Sequence, residues 1–194
     1  MSAHSQYGED KDILGFFGDH VGRFLDVGAH DGQTFSNTGQ LAERGWSGVC
    51  VEPSPSIFRH LIENHKGRPI ELVNAAIAVE SKLVRFWDNN GDAMSTLSQD
   101  HKAKWVGYPF HDMWLKPITW DDLLSVLPGP YDFLNIDVEG INAEVALFAP
   151  LDAIGARMIC LEDDLGNRRE EVLSKFRAHG YKARQVGLNI LFAR

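Results

Sequence analysis

Short apolar runs bounded by turn residues recur along the chain and predict seven β-strands. These runs cover residues 23–29, 48–52, 70–78, 131–137, 156–162, 181–186 and 188–193. Segments with helical spacing separate most of them, and this alternation is typical of a doubly wound α/β fold with a mostly parallel, Rossmann-like sheet. The last two runs meet at Gly187, and so short a link predicts an antiparallel hairpin.

Helix signals fill most of the gaps between the predicted strands. Apolar residues recur at helical spacing, and proline or glycine marks the helix ends. We therefore expect crossover helices at 34–44, 55–66, 142–148 and 167–179, and a leading helix within 5–19. Together these elements predict one domain over residues 1–194.

Residues 88–116 do not fit this alternation. The segment is rich in Gly, Asp, His and Trp and too irregular for a core element, and a loop of this length is usually functional or disordered. We interpret it as an insertion that forms a lid or recognises the substrate. Its neighbouring aromatic side chains could stack on a sugar ring or form a satellite core, and both interpretations stay open. These are Trp87, Trp105, Tyr108, Trp114 and Trp120.

Composition and charge narrow the class of protein. The chain is 44% hydrophobic and 24% charged, as in ordinary soluble domains, and no apolar stretch is long enough to span a bilayer. The net charge of −8 disfavours nucleic acid as a partner, because such binders need Lys and Arg to neutralise phosphates. The first residues lack a secretion signal, so we expect a cytoplasmic protein, with Cys50 and Cys160 in the core.

The first predicted strand runs into the loop DVGAHDG, which begins at Asp26. Gly28 would let a ligand approach the backbone, and Gly32 would let the chain turn into the next helix. A dinucleotide site needs a third glycine in the middle, where His30 stands here. Asp26 and Asp31 would repel a pyrophosphate, whereas they suit the ammonium and sulfonium groups of S-adenosylmethionine. The loop therefore favours S-adenosylmethionine over a dinucleotide.

The next two predicted strands add further candidate residues for this cofactor. Glu52 follows the second strand, and a carboxylate there can accept hydrogen bonds from both ribose hydroxyls. Small residues in the third run, among them Asn74 and Ala75, are expected beside the adenine, although ordinary strand packing explains them equally well. The combination predicts a nucleoside-binding edge of the sheet.

Six segments of the sequence, taken in order, resemble the FkbM family of methyltransferases. They are SQYGED, FLDVGAHDG, SNTGQLAERGWSGVCVEP, VNAAIA, MSTL and NIDVEG, and the resemblance extends from about residue 5 to residue 192. His30 stands where the family more often has asparagine. The resemblance implies O-methylation of hydroxyls on sugars or secondary metabolites, and it implies that Ser95, within MSTL, lines the site.

Acidic residues end the fourth and fifth predicted strands, and adjacent strand tips lie within side-chain reach. Asp137 is our first candidate for the general base or for a group that orients the acceptor, and Glu162 is the second. Asp137 could instead bind the methionine part of the cofactor, and Glu162 could be a solvated strand end. Glu139 is expected to anchor the turn at Gly140.

Two other uses of polar side chains compete with this assignment. Magnesium, which we do not favour, could bind Asp137, Glu162 and Asp163. His101 and His111 lie in the insertion and are alternative bases. Five other histidines are expected to be solvated: His4, His20, His60, His65 and His179.

The leading functional hypothesis is methylation of a hydroxyl on a small molecule or a carbohydrate. A cofactor-binding accessory domain without turnover is the second hypothesis, and the acids at the strand tips argue against it. A nicotinamide-dependent oxidoreductase is the third, and the missing middle glycine disfavours it.

Overall fold

A computed structural model describes residues 4–89 and 94–194. Its strands are β1 (Arg23–Val27), β2 (Ser47–Val51), β3 (Ile70–Val73), β4 (Val84–Asp88), β5 (His111–Leu115), β6 (Phe133–Ile136), β7 (Met158–Glu162), β8 (Lys182–Val186) and β9 (Asn189–Ala193). Its helices are α1 (Glu9–Phe17), α2 (Gly39–Glu43), α3 (Pro55–Asn64), α4 (Gln99–Lys104), α5 (Trp120–Val126), α6 (Asn142–Phe148), α7 (Leu151–Ile154) and α8 (Arg169–Ala178). A 3-10 turn, Gly166–Arg168, precedes α8.

Seven strands form the main sheet in the order β3-β2-β1-β6-β7-β9-β8. The pairs from β3 to β7 are parallel, and β9 and β8 close the edge as an antiparallel hairpin. The predicted α/β class and the terminal hairpin are therefore confirmed. The strand order reverses between β1 and β6, and at such a point the loops leaving the two strands diverge to opposite faces and leave a crevice at their carboxyl ends.

Helical layers cover both faces of the sheet because side chains alternate along each strand. On β1, Leu25 and Val27 face the layer that contains Trp120 of α5 and Phe176 of α8. Phe24 faces the opposite layer, with apolar residues of α1, α2 and α3. Cys50 and Cys160 are buried free thiols in this second layer, as predicted.

Two predicted elements are shorter than their sequence patterns suggested. The helix expected at 34–44 is only α2, because Asp31 binds the backbone N–H groups of Gln33 and Thr34, and Phe35 has a φ of 55°. The strand expected at 70–78 ends at Val73. Beyond it, Ile77 forms only an isolated bridge to Ile118. In both places the chain leaves the regular element at the carboxyl edge of the sheet.

The segment 88–116 is more regular than its composition suggested. In its described part, β5 pairs antiparallel with β4 in a small second sheet, and α4 lies between them in the chain. Residues 90–93 of the predicted insertion lie outside the described residues. The pattern hid β5 because most of its side chains are exposed, and its sequence HDMWL places two polar residues before three apolar ones instead of alternating them. Helix α5 was also missed.

Among residues 4–89 and 94–194, no helix combines the length and the apolar character needed to cross a bilayer.

Candidate functional site

A cleft with about 910 Å³ of empty space, the open solvent at its mouth included, lies at the reversal of strand order. The loops after β1, β2 and β6 line it, together with residues 34–37, 75–77 and 95–97. Seven of the predicted site residues line this cleft: Asp26, Gly28, His30, Glu52, Ala75, Ser95 and Asp137. Four predicted residues are not among its lining: Asp31, Gly32, Asn74 and Glu162.

Asp26 is buried, and both of its carboxylate oxygens already accept hydrogen bonds from the protein. Oδ2 accepts from Thr38 Oγ1 at 2.5 Å, and Oδ1 accepts from Asn135 Nδ2 at 2.9 Å. Burial raises the pKa of Asp26, although these two hydrogen bonds oppose the rise. Asp26 thus ties the loop at residue 38 to β6. Thr38 and Asn135 were not singled out from the sequence, although they lie within the motifs SNTGQLAERGWSGVCVEP and NIDVEG.

The two glycines of the loop are required by contacts within the protein. Gly28 has a φ of 86°, and a side chain there would collide with the main-chain oxygen of Asp137. Gly32 has a φ of 74°, and a side chain there would collide with His65 and Leu61 of the α3 region. The expected helix start directly after Gly32 was wrong, since α2 begins at residue 39. His65 is buried rather than solvated, and burial lowers its pKa to about 4.

His30 and Asp31 have different surroundings within this loop. His30 has a φ of 50°, and its side chain is partly buried. Both imidazole nitrogens are buried, and neither has a hydrogen-bond partner among the residues that the structure describes. Its Nδ1 lies 3.6 Å from Asp31 Oδ1, which is beyond hydrogen-bond distance. Burial alone would raise the pKa of Asp31, but hydrogen bonds from the Thr34 hydroxyl and from two backbone N–H groups outweigh it, and the pKa is lowered. Asp31 therefore shapes the turn, whereas His30 is one of the residues that line the cleft.

Glu52 lies at the tip of β2 with only 6% of its surface exposed. Its Oε2 accepts a hydrogen bond from the backbone N–H of His30 at 3.0 Å, and its Oε1 accepts from that of Ser54 at 2.8 Å. Burial raises the pKa of Glu52 to about 7 despite these two donors, and the charges of Asp88 and Asp26 add to the rise. Asn74 donates to the main-chain oxygens of Glu52 and Pro53, so it supports the strand tip from outside the cleft.

The predicted pair of acids is brought together at the tips of β6 and β7. Carboxylate oxygens of Asp137 and Glu162 lie within 4.8 Å of one another. Burial raises the pKa of both, and the charge of Glu139 adds to the rise. The charge of Asp137 raises the pKa of Glu162 further, whereas the interaction with Glu162 lowers that of Asp137. Asp137 lines the cleft. Glu162 supports it from behind and accepts a hydrogen bond from Asn142 Nδ2 at 2.7 Å.

The surroundings of this pair correct two expectations. The turn at Gly140 is anchored by Asp164, whose Oδ2 accepts from the Gly140 N–H at 2.7 Å, and not by Glu139. Asp163 is turned away and forms an ion pair with Arg169 at 2.9 Å. Oxygens of Asp137, Glu139 and Glu162 instead lie within 4.8 Å of one another, a separation compatible with a hard cation.

The described part of the insertion is attached to the same strand tip. Thr96 Oγ1 donates to the main-chain oxygen of Glu139 at 2.5 Å, and His101 Nε2 lies 3.0 Å from Glu139 Oε2. Ser95 lines the cleft, but its hydroxyl donates to Asp88 Oδ1 at 3.2 Å and accepts from the Asn89 N–H at 3.0 Å. His101 is buried, and it is not among the residues that line the cleft. His111 is exposed on β5.

Two solved structures of methyltransferases are similar to this chain. A TehB-like S-adenosylmethionine-dependent methyltransferase from Corynebacterium glutamicum is 13% identical, with a TM-score of 0.50, 96% of this chain covered and 85% of the other. A precorrin-6y C5,15-methyltransferase from Geobacter metallireducens is 14% identical, with a TM-score of 0.49, 100% of this chain covered and 92% of the other. The likeness to the TehB-like structure shows that this chain has a Rossmann-like methyltransferase fold.

A family model identifies this chain more specifically than its fold does. The family described as the methyltransferase FkbM domain matches residues 26–183, which is most of the chain. This protein therefore belongs to the FkbM family of methyltransferases, as the motifs in its sequence predicted. A search of curated proteins found no match.

The residues of the cleft fit S-adenosylmethionine. The carboxylate of Glu52 lies at one end, where a ribose diol could donate to it, and Ala75, Ala76 and Ile77 give that end an apolar wall suited to adenine. The other end is formed by Asp26, Asn135 and Asp137. Its carboxylates suit a ligand with positive charge and disfavour a pyrophosphate.

Proposed function

We propose that this protein transfers a methyl group from S-adenosylmethionine to a hydroxyl of a small molecule or a carbohydrate, with Asp137 as the proton acceptor. The observation that carries the proposal is the carboxyl pair at the cleft, in which Asp137 is exposed to a ligand and Glu162 supports it. Methylation of an alcohol needs such a group, because an aliphatic hydroxyl is a weak nucleophile until its proton leaves.

Within this proposal, the two ends of the cleft bind different parts of the cofactor. Glu52 binds the ribose hydroxyls, and Ala75 with its neighbours covers the adenine. The loop with Gly28 and His30 passes beside the methionine part. When bound, S-adenosylmethionine supplies an electrophilic methyl group.

The carboxyl pair is the proposed proton acceptor. In this proposal Asp137 and Glu162 hold a single proton between them, so the pair carries one negative charge and can accept a second proton from the acceptor hydroxyl. Asp137 receives that proton at its carboxylate on the cleft side, and Glu162 keeps the pair aligned through its hydrogen bond to Asn142. The raised pKa of Asp137 suits this role, since a base works best with a pKa near the working pH.

Charge supports a small acceptor over a nucleic acid. The chain carries a net charge of −8, and carboxylates of Asp26, Glu52, Asp137 and Glu139 lie around the cleft. A phosphate backbone would meet repulsion there, whereas the hydroxyls of a sugar or metabolite would find hydrogen-bond acceptors. We keep the cytoplasm as the expected compartment, since both thiols are free.

The test is methyl transfer from isotopically labelled S-adenosylmethionine to a panel of hydroxylated sugars, aliphatic alcohols, amines and a short RNA. We expect label on a hydroxyl oxygen, located by mass spectrometry and NMR of the product. Label on nitrogen or on RNA would overturn the proposed acceptor class. Binding of S-adenosylhomocysteine without turnover on a broad panel would favour the accessory-domain alternative, and binding of NAD would favour the oxidoreductase.

The same assay tests the magnesium alternative. Asp137, Glu139 and Glu162 could ligate a hard cation. Turnover that is lost with a chelator and restored by magnesium would assign these three carboxylates to a metal and remove Asp137 as a free base.

A further inference from the structure

A buried asparagine in the cleft has one polar atom without a partner. Asn37 is 7% exposed, lines the cleft, and donates through Nδ2 to Asn135 Oδ1 at 3.0 Å. Its Oδ1 is buried and accepts no hydrogen bond from the part of the chain that the structure describes. An unpaired buried acceptor costs free energy, so such an atom in a ligand cleft needs an explanation.

The orientation of this amide is fixed by a chain of hydrogen bonds that begins at Asp26. An ionised carboxylate can only accept, so Asn135 must turn its Nδ2 toward Asp26 Oδ1, at 2.9 Å. Asn135 Oδ1 then faces Asn37 and must receive the Asn37 Nδ2 group. Flipping the Asn37 amide would place two oxygens against each other. The free Oδ1 is therefore a consequence of the network and not of an arbitrary choice between nitrogen and oxygen.

The same network explains why Asp26 is a poor direct ligand. Both of its oxygens are engaged, by Thr38 and by Asn135. Asp26 is also only 1% exposed, so a positively charged group at this end of the cleft has little access to the lone pairs that these two hydrogen bonds leave. Such a group would find Asn37 Oδ1, which the Asp26 carboxylate orients through Asn135.

We infer that Asn37 Oδ1 accepts a hydrogen bond from the α-ammonium group of the cofactor. This inference rests on the proposed cofactor site: with the ribose at Glu52 on the β2 side, the amino-acid part extends toward β1 and β6, where Asn37 and Asn135 lie. An ammonium group supplies three donors and no acceptor, which matches an oriented amide oxygen. Asn37 thus becomes a binding residue, and Asp26 and Asn135 become positioning residues behind it.

The experiment compares three ligands by calorimetry. S-adenosylhomocysteine has both the ammonium and the carboxylate, its decarboxylated form keeps only the ammonium, and 5′-methylthioadenosine has neither. In Asn37→Ala we expect affinity for the first two ligands to fall roughly 10- to 100-fold, the range for a hydrogen bond to a charged group. Affinity for 5′-methylthioadenosine should change less than about threefold, because that ligand does not reach Asn37.

Two further variants separate ligand binding from folding. Asn37→Asp keeps an acceptor for the ammonium but loses the donor to Asn135, so its preference for the two ammonium ligands should persist even if its stability falls. Asn189→Ala is the matched control, since Asn189 is also 7% exposed and donates to buried Glu9, outside the cleft lining. It should lose stability in urea unfolding without changing any of the three affinities.

The possible outcomes are distinct. Equal losses for all three ligands in Asn37→Ala, or an unchanged preference for the ammonium ligands, would overturn the inference while leaving the proposed function in place. If Asn37→Ala does not fold, a tenfold loss of that preference in Asn37→Asp would overturn it. If the wild type binds none of the three ligands, the proposed function and this inference fail together.

Discussion

The two ends of the cleft hold buried carboxyl groups in opposite ways. At β2, Glu52 accepts hydrogen bonds from two backbone N–H groups, and these neutral donors hold its oxygens in place. At β6 and β7, oxygens of Asp137 and Glu162 lie within 4.8 Å of one another. Burial raises the pKa in both places, but only the second place puts two carboxyl groups side by side, so that the charge of Asp137 raises the pKa of Glu162 further. The first arrangement suits binding, and the second suits proton transfer.

Removing the charge of Asp137 should have the largest effect. Asp137→Asn keeps the shape but cannot take a proton, so we expect the single-turnover rate to fall by roughly 10²–10⁴, while cofactor affinity stays within a few fold. Glu162→Gln, measured in parallel, should also slow turnover. Asp163→Asn is the control, because Asp163 pairs with Arg169 and points away from the pair. Weakened cofactor binding with normal saturated turnover would instead assign Asp137 to the methionine part of the cofactor.

The pH dependence of stability should distinguish Glu52 from an ordinary surface acid. Its pKa rises from 4.5 to about 7 on folding, so its contribution to stability is fully present below pH 4.5 and is lost as pH rises through 7. At pH 8 the loss is about 3 kcal/mol. In urea titrations run from pH 4.5 to pH 8, the unfolding free energy of the wild type should therefore fall relative to that of Glu52→Gln, which has no titrating group at this position. A constant difference would show that the carboxylate is solvated.

Truncating Glu52 should weaken the cofactor site itself. In Glu52→Ala we expect S-adenosylhomocysteine affinity to fall by roughly 1.5–3 kcal/mol, because the ribose hydroxyls lose a charged acceptor. Calorimetry measures this directly, and Asn189→Ala again serves as the control. Unchanged affinity would show that Glu52 does not bind the cofactor, and it would contradict the binding role assigned to this carboxyl group.

Ser95 should show the smallest effect. Its hydroxyl is occupied by Asp88 and by the Asn89 N–H, so Ser95→Ala is expected to lower stability by about 0.5–1.5 kcal/mol and to change cofactor affinity by less than about threefold. A tenfold loss of affinity would show that Ser95 turns toward the cofactor, as its place in the MSTL motif suggested.

Much of the fold follows from the sequence because local signals are strong where a strand is buried on both faces. The runs that became β1, β2, β6 and β7 are nearly continuous in apolar residues, and all four strands lie inside the main sheet. The hairpin of β8 and β9 follows from its two-residue link. In contrast, β5 is mostly exposed and carries no alternating pattern, so its pairing with β4 came only from the structure.

The sequence by itself determined the family, the glycine loop and the acids at the strand tips, because these depend on residue types at fixed spacing. The tertiary structure decided which polar atoms are free. Asp26 and Asp31, both acids in one loop, are bound by Thr38 and Asn135 in one case and by Gln33 and Thr34 in the other. Which oxygen of a buried network is left over depends on partners distant in the chain, and only the folded sheet brings Asn37 beside Asn135.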